Sequence, residues 1–144
     1  MNEHSENAST HGFVQHLNPD DMSKNRAFTQ VIAVTGPVKT IYVGGQDAVD
    51  AEGNIVGKGD IQQQTIQVLN NVQKALTAAG AGLEHVIKWN VYVVQGQSLP
   101  AGFAAFQQSW GNRPNPPTIT MMFVAELARP DFLLEIDAVA VVPL

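Results

Sequence analysis

Phe132-Leu133-Leu134-Glu135-Ile136-Asp137-Ala138-Val139-Ala140-Val141-Val142 is an apolar run near the end of the chain, interrupted only by two carboxylates. It reads as a strand. Glu135 and Asp137 are two residues apart, so their side chains leave the same face of it. A carboxylate that is dry and unpaired is costly. The face that carries these acids therefore meets water, supplies them with partners, or performs a function.

Working back from this strand, residues 118–124 form another, introduced by the rigid stretch 113–117 with its three prolines. Residues 86–94 are rich in Val, Ile, Trp and Tyr. Alternation places Ile87, Trp89, Val91 and Val93 on one face and Lys88, Asn90 and Tyr92 on the other. Between these two strands, Leu99, Phe103, Phe106 and Trp110 mark the apolar stripe of a helix over 100–110, with Pro100 in its first turn. A longer helix precedes residues 86–94. Asp60 is its N-cap, Gln63 stands at the capping-box position, and Gly80 is the stop. Ile61, Thr65, Val68, Leu69, Val72, Leu76 and Ala79 form its apolar stripe, and the opposite face is rich in Gln and Asn. Residues 27–34 and 39–44 read as strands around the turn Thr35-Gly36-Pro37, and 45–60 as a loop. Residues 1–25 are polar, carry His4, His11 and His16, and read as a partly flexible tail; 26–144 read as one domain. The order strand, strand, helix, strand, helix, strand, strand predicts a two-layer α/β (α+β) sandwich, a mixed sheet with two helices on one face.

Composition restricts what such a domain does. The 144 residues suffice for one hydrophobic core without metal or disulfide support. With 0 Cys, thiol catalysis and cysteine zinc sites are excluded. A net charge of -5 argues against a nucleic-acid partner. Charged residues make up 15% of the chain, against about 25% in ordinary soluble domains. So weakly charged a surface, together with the sheet face that two layers leave bare, predicts association of copies of the chain. The longest charge-free run, 89–112, is broken by Gln, Ser and Pro, so no membrane span is expected. The N-terminal segment has no apolar stretch of the kind a secretory signal needs, and the cytoplasm is the default location.

Familiar catalytic signatures fail. Gly53-Asn54-Ile55-Val56-Gly57-Lys58-Gly59 has one residue too few for a P-loop and puts glycine where the metal-binding hydroxyl belongs. Gly57-Lys58-Gly59-Asp60 has Gln62 in place of the last glycine of a dinucleotide fingerprint. There is no G-x-S-x-G elbow, and His85 is the sole histidine outside the tail. No metal or other cofactor is expected.

Several stretches together resemble the RidA family, also called YjgF or L-PSP endoribonuclease-like. They are Phe28-Thr29-Gln30-Val31, Tyr42-Val43-Gly44-Gly45-Gln46, Asn70-Asn71-Val72 with Ala78-Ala79-Gly80, and Val86-Ile87-Lys88-Trp89-Asn90-Val91-Tyr92-Val93. Residues 117–124 and Ala128-Arg129-Pro130-Asp131-Phe132-Leu133-Leu134-Glu135-Ile136-Asp137-Ala138 complete the set. The resemblance implies a chorismate-mutase-like fold and a homotrimer with small-molecule clefts between subunits. It implies a cofactor-free deaminase or hydrolase that acts on reactive enamines and imines made by pyridoxal-phosphate enzymes. Glu135 falls on the family's cleft glutamate, which positions water; Phe28, Gly45, Gln46, Asn90, Ile119 and Met121 fall at the ligand.

The chain departs from that pattern at the anchor for the substrate carboxylate. Deaminating members have Pro-x-Arg where this chain has Pro117-Thr118-Ile119. A guanidinium grips a carboxylate with two charge-assisted hydrogen bonds, and isoleucine offers no donor. Phe28 replaces a tyrosine, Gly44 a serine and Met121 a frequent cysteine. The resulting expectation is hydrolysis of a C=N or C–N bond in a neutral, more apolar substrate, with Glu135 directing water and backbone amides near Gly45 and Ile119 receiving the ligand oxygen. Two other readings stand beside it: a non-catalytic ligand-binding or chaperone-like module using the same cleft, and the endoribonuclease activity attributed to some relatives, which the net negative charge disfavours.

Overall fold

The computed structural model describes residues 10–144; the earlier part of the expected tail, with His4, lies outside the described residues. The elements run β1 (Phe13–Leu17), β2 (Val31–Thr35), β3 (Val38–Gln46), α1 (Ile61–Ala78), β4 (Val86–Val94), α2 (Leu99–Trp110), β5 (Thr118–Val124) and β6 (Leu134–Pro143). A short 3-10 turn, Leu83–His85, leads into β4. The main sheet has the order β3-β6-β4-β5. The β4–β5 pair is parallel and the other two pairs are antiparallel, so the sheet is mixed as expected. Parallel neighbours need a crossover, and α2 supplies it.

The α1 helix begins where Asp60 accepts a hydrogen bond from the Gln63 N–H at 3.1 Å. It ends at Gly80, whose positive φ of 78° suits glycine. Its buried stripe of Thr65, Val68, Leu69, Val72 and Leu76 packs on β3 and β6. There it meets Ile41, Val43, Trp89, Ile136, Ala138 and Ala140, which are the core. The amide-rich residues of α1 are not simply a solvated face. Gln64 is fully buried; its Nε2 donates to the carbonyls of Gly57 (3.1 Å) and Asp131 (2.9 Å), and its Oε1 accepts from the Leu133 N–H (3.0 Å). Asn71 Nδ2 donates to the carbonyls of Asp47 (3.1 Å) and Val49 (2.9 Å), and Gln67 Nε2 reaches Val49 (3.2 Å). These amides satisfy loop carbonyls that pass beneath the helix and so fix the segment that follows β3.

Three sequence expectations need correction. Phe13–Leu17, read as tail, is strand β1, paired antiparallel with β2 from Phe13↔Thr35 to Leu17↔Val31 in a separate two-stranded ribbon. The ribbon is tied to the end of the sheet by the Gly12 N–H to Leu144 carbonyl bond of 3.2 Å. Ile87 does not share the core position of Trp89, because a register shift between Val86 and Lys88 turns Val86 inward instead. In α2, Leu99 and Phe103 are 37% and 47% exposed, so the stripe that reads as core is partly open to a groove.

Candidate functional site

Strand pairing assigns each candidate residue to a face. Directly opposed residues in neighbouring strands project to the same side of a sheet. Trp89 pairs with Ile119 and Val91 with Met121, and Val91 also pairs with Ile136. These residues lie on the helix side. Glu135 pairs with Tyr92 and Asp137 with Asn90. These lie on the opposite, open face. Within one chain, then, Ile119 and Glu135 are separated by the thickness of the sheet.

On the helix side, β5, α2 and the segment before β2 enclose a groove of about 570 Å³. Phe28, Phe103, Phe106, Ile119 and Met121 contribute to its wall, and among the described residues its only polar side chains are those of Asn25, Thr65 and Ser98. Phe28 is held there by its neighbour. Thr29 is buried, its N–H donates to the Pro117 carbonyl at 3.1 Å, and its hydroxyl donates to the Pro116 carbonyl at 2.5 Å. The prolines leading into β5 thus fix the aromatic ring next to Ile119. No lysine or arginine among the described residues lines the groove. Arg113 Nη1 donates instead to the carbonyls of Ser109 and Trp110 at the end of α2, at 3.1 and 2.8 Å. Arg129 donates to the Gly53 carbonyl at 3.1 Å and lies 5.0 Å from the Phe132 ring centroid. Phe103 and Phe106 are not among the site residues expected from sequence, where their spacing assigns them to a core stripe.

On the open face the polar side chains form a row. Asn90 Nδ2 donates to Asp137 Oδ1 at 2.7 Å, and Lys88 Nζ donates to Thr120 Oγ1 at 2.6 Å. The charge of Asp137, then burial, then a hydrogen bond to that same acid push the Tyr92 phenol above its ordinary range, with the Glu135 charge adding to the effect. At the edge of this row, β3 shifts register against β6 between Val43 and Gln46. The extra residue bends the strand, and Gln46 steadies the bend by donating from Nε2 to the Gly44 carbonyl at 3.0 Å. Gly45 leaves room for an acid here, because a Cβ on it would lie 2.5 Å from Glu135 Oε2 and the glutamate would have to shift. Glu135 therefore occupies the notch that Gly45 leaves, and Asp47, just past the bulge, follows the Gln46↔Ile136 pair and comes level with it. Burial, then the neighbouring Glu135 carboxyl and its charge, opposed by Arg129, raise the Asp47 carboxyl to about 7. Asp47 is absent from the residues singled out in the sequence. Its one signal there is a glycine pair closing an apolar strand, which marks a close backbone approach.

Comparison with known proteins agrees with this architecture. The Endoribonuclease L-PSP family model matches residues 20–142. The chain belongs to that family. A RutC family protein of Synechocystis is 34% identical over 117 residues, covering 81% of this chain and 86% of the relative. Among solved structures, a Rid family protein of unknown function from Yersinia pestis superposes with a TM-score of 0.80 at 29% identity, covering 90% of this chain and 98% of that one. E. coli TdcF with bound serine gives a TM-score of 0.65 at 28% identity, over 72% of this chain and 80% of that one. The L-PSP fold explains why the candidate residues divide as they do: Phe28, Ile119 and Met121 belong to the groove, and Gly45, Gln46, Asn90 and Glu135 to the open face. Gln46 and Asn90 spend their amides on the Gly44 carbonyl and on Asp137. No helix among the described residues is long and apolar enough to cross a membrane, and none of their His, Asp and Glu side chains gather in groups of three that could hold a metal ion.

Proposed function

We propose that the chain forms a homotrimer in which the apolar groove of one copy faces the Glu135 side of the next, and that the joint cleft hydrolyses uncharged imines. Association is supported by the weak overall charge and by the open sheet face, where Tyr42 is 80% exposed. It is also supported by the placement of Glu135 and Ile119 on opposite faces, since one copy alone cannot offer both to the same small molecule. The cytoplasm, where such reactive imines arise, is the proposed location.

The observation that carries the substrate class is the groove wall at Ile119, which has no cation among the described residues. An anionic substrate would surrender its hydration there without compensation, whereas an apolar substituent gains from burial. In the reaction, Glu135 takes a proton from water as the water oxygen bonds to the imine carbon. The proton passes to nitrogen, giving a neutral carbinolamine; its hydroxyl then loses its proton to Glu135, which hands it to the same nitrogen as the C–N bond breaks, and ammonia and a carbonyl product leave. Backbone amides near Gly45 and Ile119 would receive the developing oxygen.

The test is ammonia release from two freshly generated substrates, a 2-imino acid and an uncharged imine with an apolar substituent. Preferential turnover of the uncharged imine is expected. Efficient turnover of the 2-imino acid would overturn the argument from Ile119, and binding without turnover of either would favour the ligand-binding module.

A further inference from the structure

We propose that Asp47 is the proton partner of Glu135: the two carboxyl groups share one proton beside the β3 bulge, and Asp47 thereby sets which oxygen of Glu135 is presented to water. The inference rests on the reading of Glu135 as the water-directing acid and adds to it a residue that acts through Glu135.

Three features of the geometry support it. First, Asp47 Oδ1 is buried, and no N–H or neutral hydroxyl of the described residues donates to it. Yet the antiparallel pairing of Gln46 with Ile136 brings the next residue, Asp47, level with Glu135, whose carboxyl lies against Gly45. Two carboxylates are both acceptors, so the buried Asp47 oxygen gains a partner at Glu135 only with a proton between them. Second, the backbone places the two side chains at the same point of the bulge. Glu135 lies against Gly45 through Cγ, Cδ and Oε2. Asp47 is pinned through its backbone, because Asn71 on α1 donates to its carbonyl. Third, the surroundings favour one negative charge over two. Arg129 is the only cation among the described residues acting on Asp47, and it is already engaged with the Gly53 carbonyl and the Phe132 ring. Tyr92 on β4 and Asp137 on β6 face the same side as Glu135, and Asp137 adds negative charge. A second ionisation is therefore resisted, and the singly protonated pair persists until the pH approaches about 7. In that state Asp47 donates and Glu135 accepts, which sets the oxygen of Glu135 that is presented to water.

Asp47→Asn supplies an amide donor in place of the shared proton, whereas Asp47→Ala removes the partner. In the full chain with 13C-labelled Asp and Glu carboxyls, Asp47 is expected to titrate near 7 and to move down toward the ordinary carboxylate range in Glu135→Gln. Titration of Asp47 near its ordinary value of 3.8, unaffected by Glu135→Gln, would overturn the proposal. On an uncharged imine, Asp47→Asn is expected to keep kcat within about threefold while losing the pH dependence near neutrality, and Asp47→Ala to lose roughly tenfold in kcat with KM unchanged. Equal loss in both variants with an unchanged pH profile would reduce Asp47 to a structural role.

Melting temperatures give a reading independent of activity. The folded protein holds the Asp47 proton more tightly than the unfolded chain, so this group favours folding most below 3.8 and loses that contribution as pH rises through about 7. Asp47→Asn should therefore gain on the parent protein between those limits. A constant difference across that range would contradict the shared proton. If no imine is hydrolysed at all, the proposed activity fails while the titration and melting experiments still decide the pairing.

Discussion

Glu135→Ala is expected to lower turnover of an uncharged imine by about 10²- to 10⁴-fold, the usual contribution of a positioned general base. Assembly should be unchanged. The side chain fills the notch above Gly45 on the open face of the sheet, so its removal leaves a space that water enters rather than a collapsed core. The variant also frees Asp47 from the neighbour that raises its carboxyl, so that group should ionise at lower pH. Parallel measurement of ammonia release and sedimentation separates the two roles of Glu135. Loss of activity with intact assembly is the expected pair of results. Retained activity would remove Glu135 from the chemistry, and loss of both would make it a structural carboxylate at an interface.

Trp89→Ala is expected to cost about 3–5 kcal/mol, as large-to-small changes of buried aromatic residues do. Trp89 is 1% exposed and stands at the centre of the sheet under both helices. Its ring meets Phe106 edge-to-face, with centroids 5.5 Å apart and planes at 78°. That contact adds roughly 0.5–1.5 kcal/mol beyond area burial. Phe106 also lines the groove, so the variant should loosen the ligand wall as it weakens the core. Trp89→Phe is the informative control. It keeps most of the ring and deletes the buried Nε1–H, which has no acceptor among the described residues, so it should cost far less. Urea unfolding of the three proteins measures both differences, and a Phe variant as unstable as the Ala variant would contradict the assignment of the loss to ring volume.

Elements with strong local periodicity are legible in the amino-acid sequence. The α1 stripe, its Asp60 cap and its Gly80 stop follow from steps of three and four residues and from capping chemistry. The β4 and β5 bounds also agree, because dense β-branched and aromatic content leaves few alternatives. What depends on distant partners is not legible. β1 has no inward face that local alternation could flag, and it exists because β2 lies opposite. The glutamines and asparagines of α1 read from sequence as a face that meets water or another subunit, yet acceptors of theirs are carbonyls of the loop after β3 and of residues leading into β6. At the site, Glu135 and Ile119 stand out as residue types, but their placement on opposite faces follows only from the register of β6, β4 and β5. Asp47 is hidden for the same reason, since a bulge belongs to a pair of strands and not to one.

The most direct measurement is the ratio of kcat/KM for an uncharged imine to that for the matching 2-imino acid, in the parent protein and in Ile119→Arg. The groove is apolar and has no cation among the described residues of its wall, so the parent ratio should favour the uncharged imine. Arginine at that position supplies the missing two-pronged donor and should reverse the preference by about tenfold or more. A parent protein that prefers the 2-imino acid, with a ratio that Ile119→Arg leaves unmoved, would contradict the account.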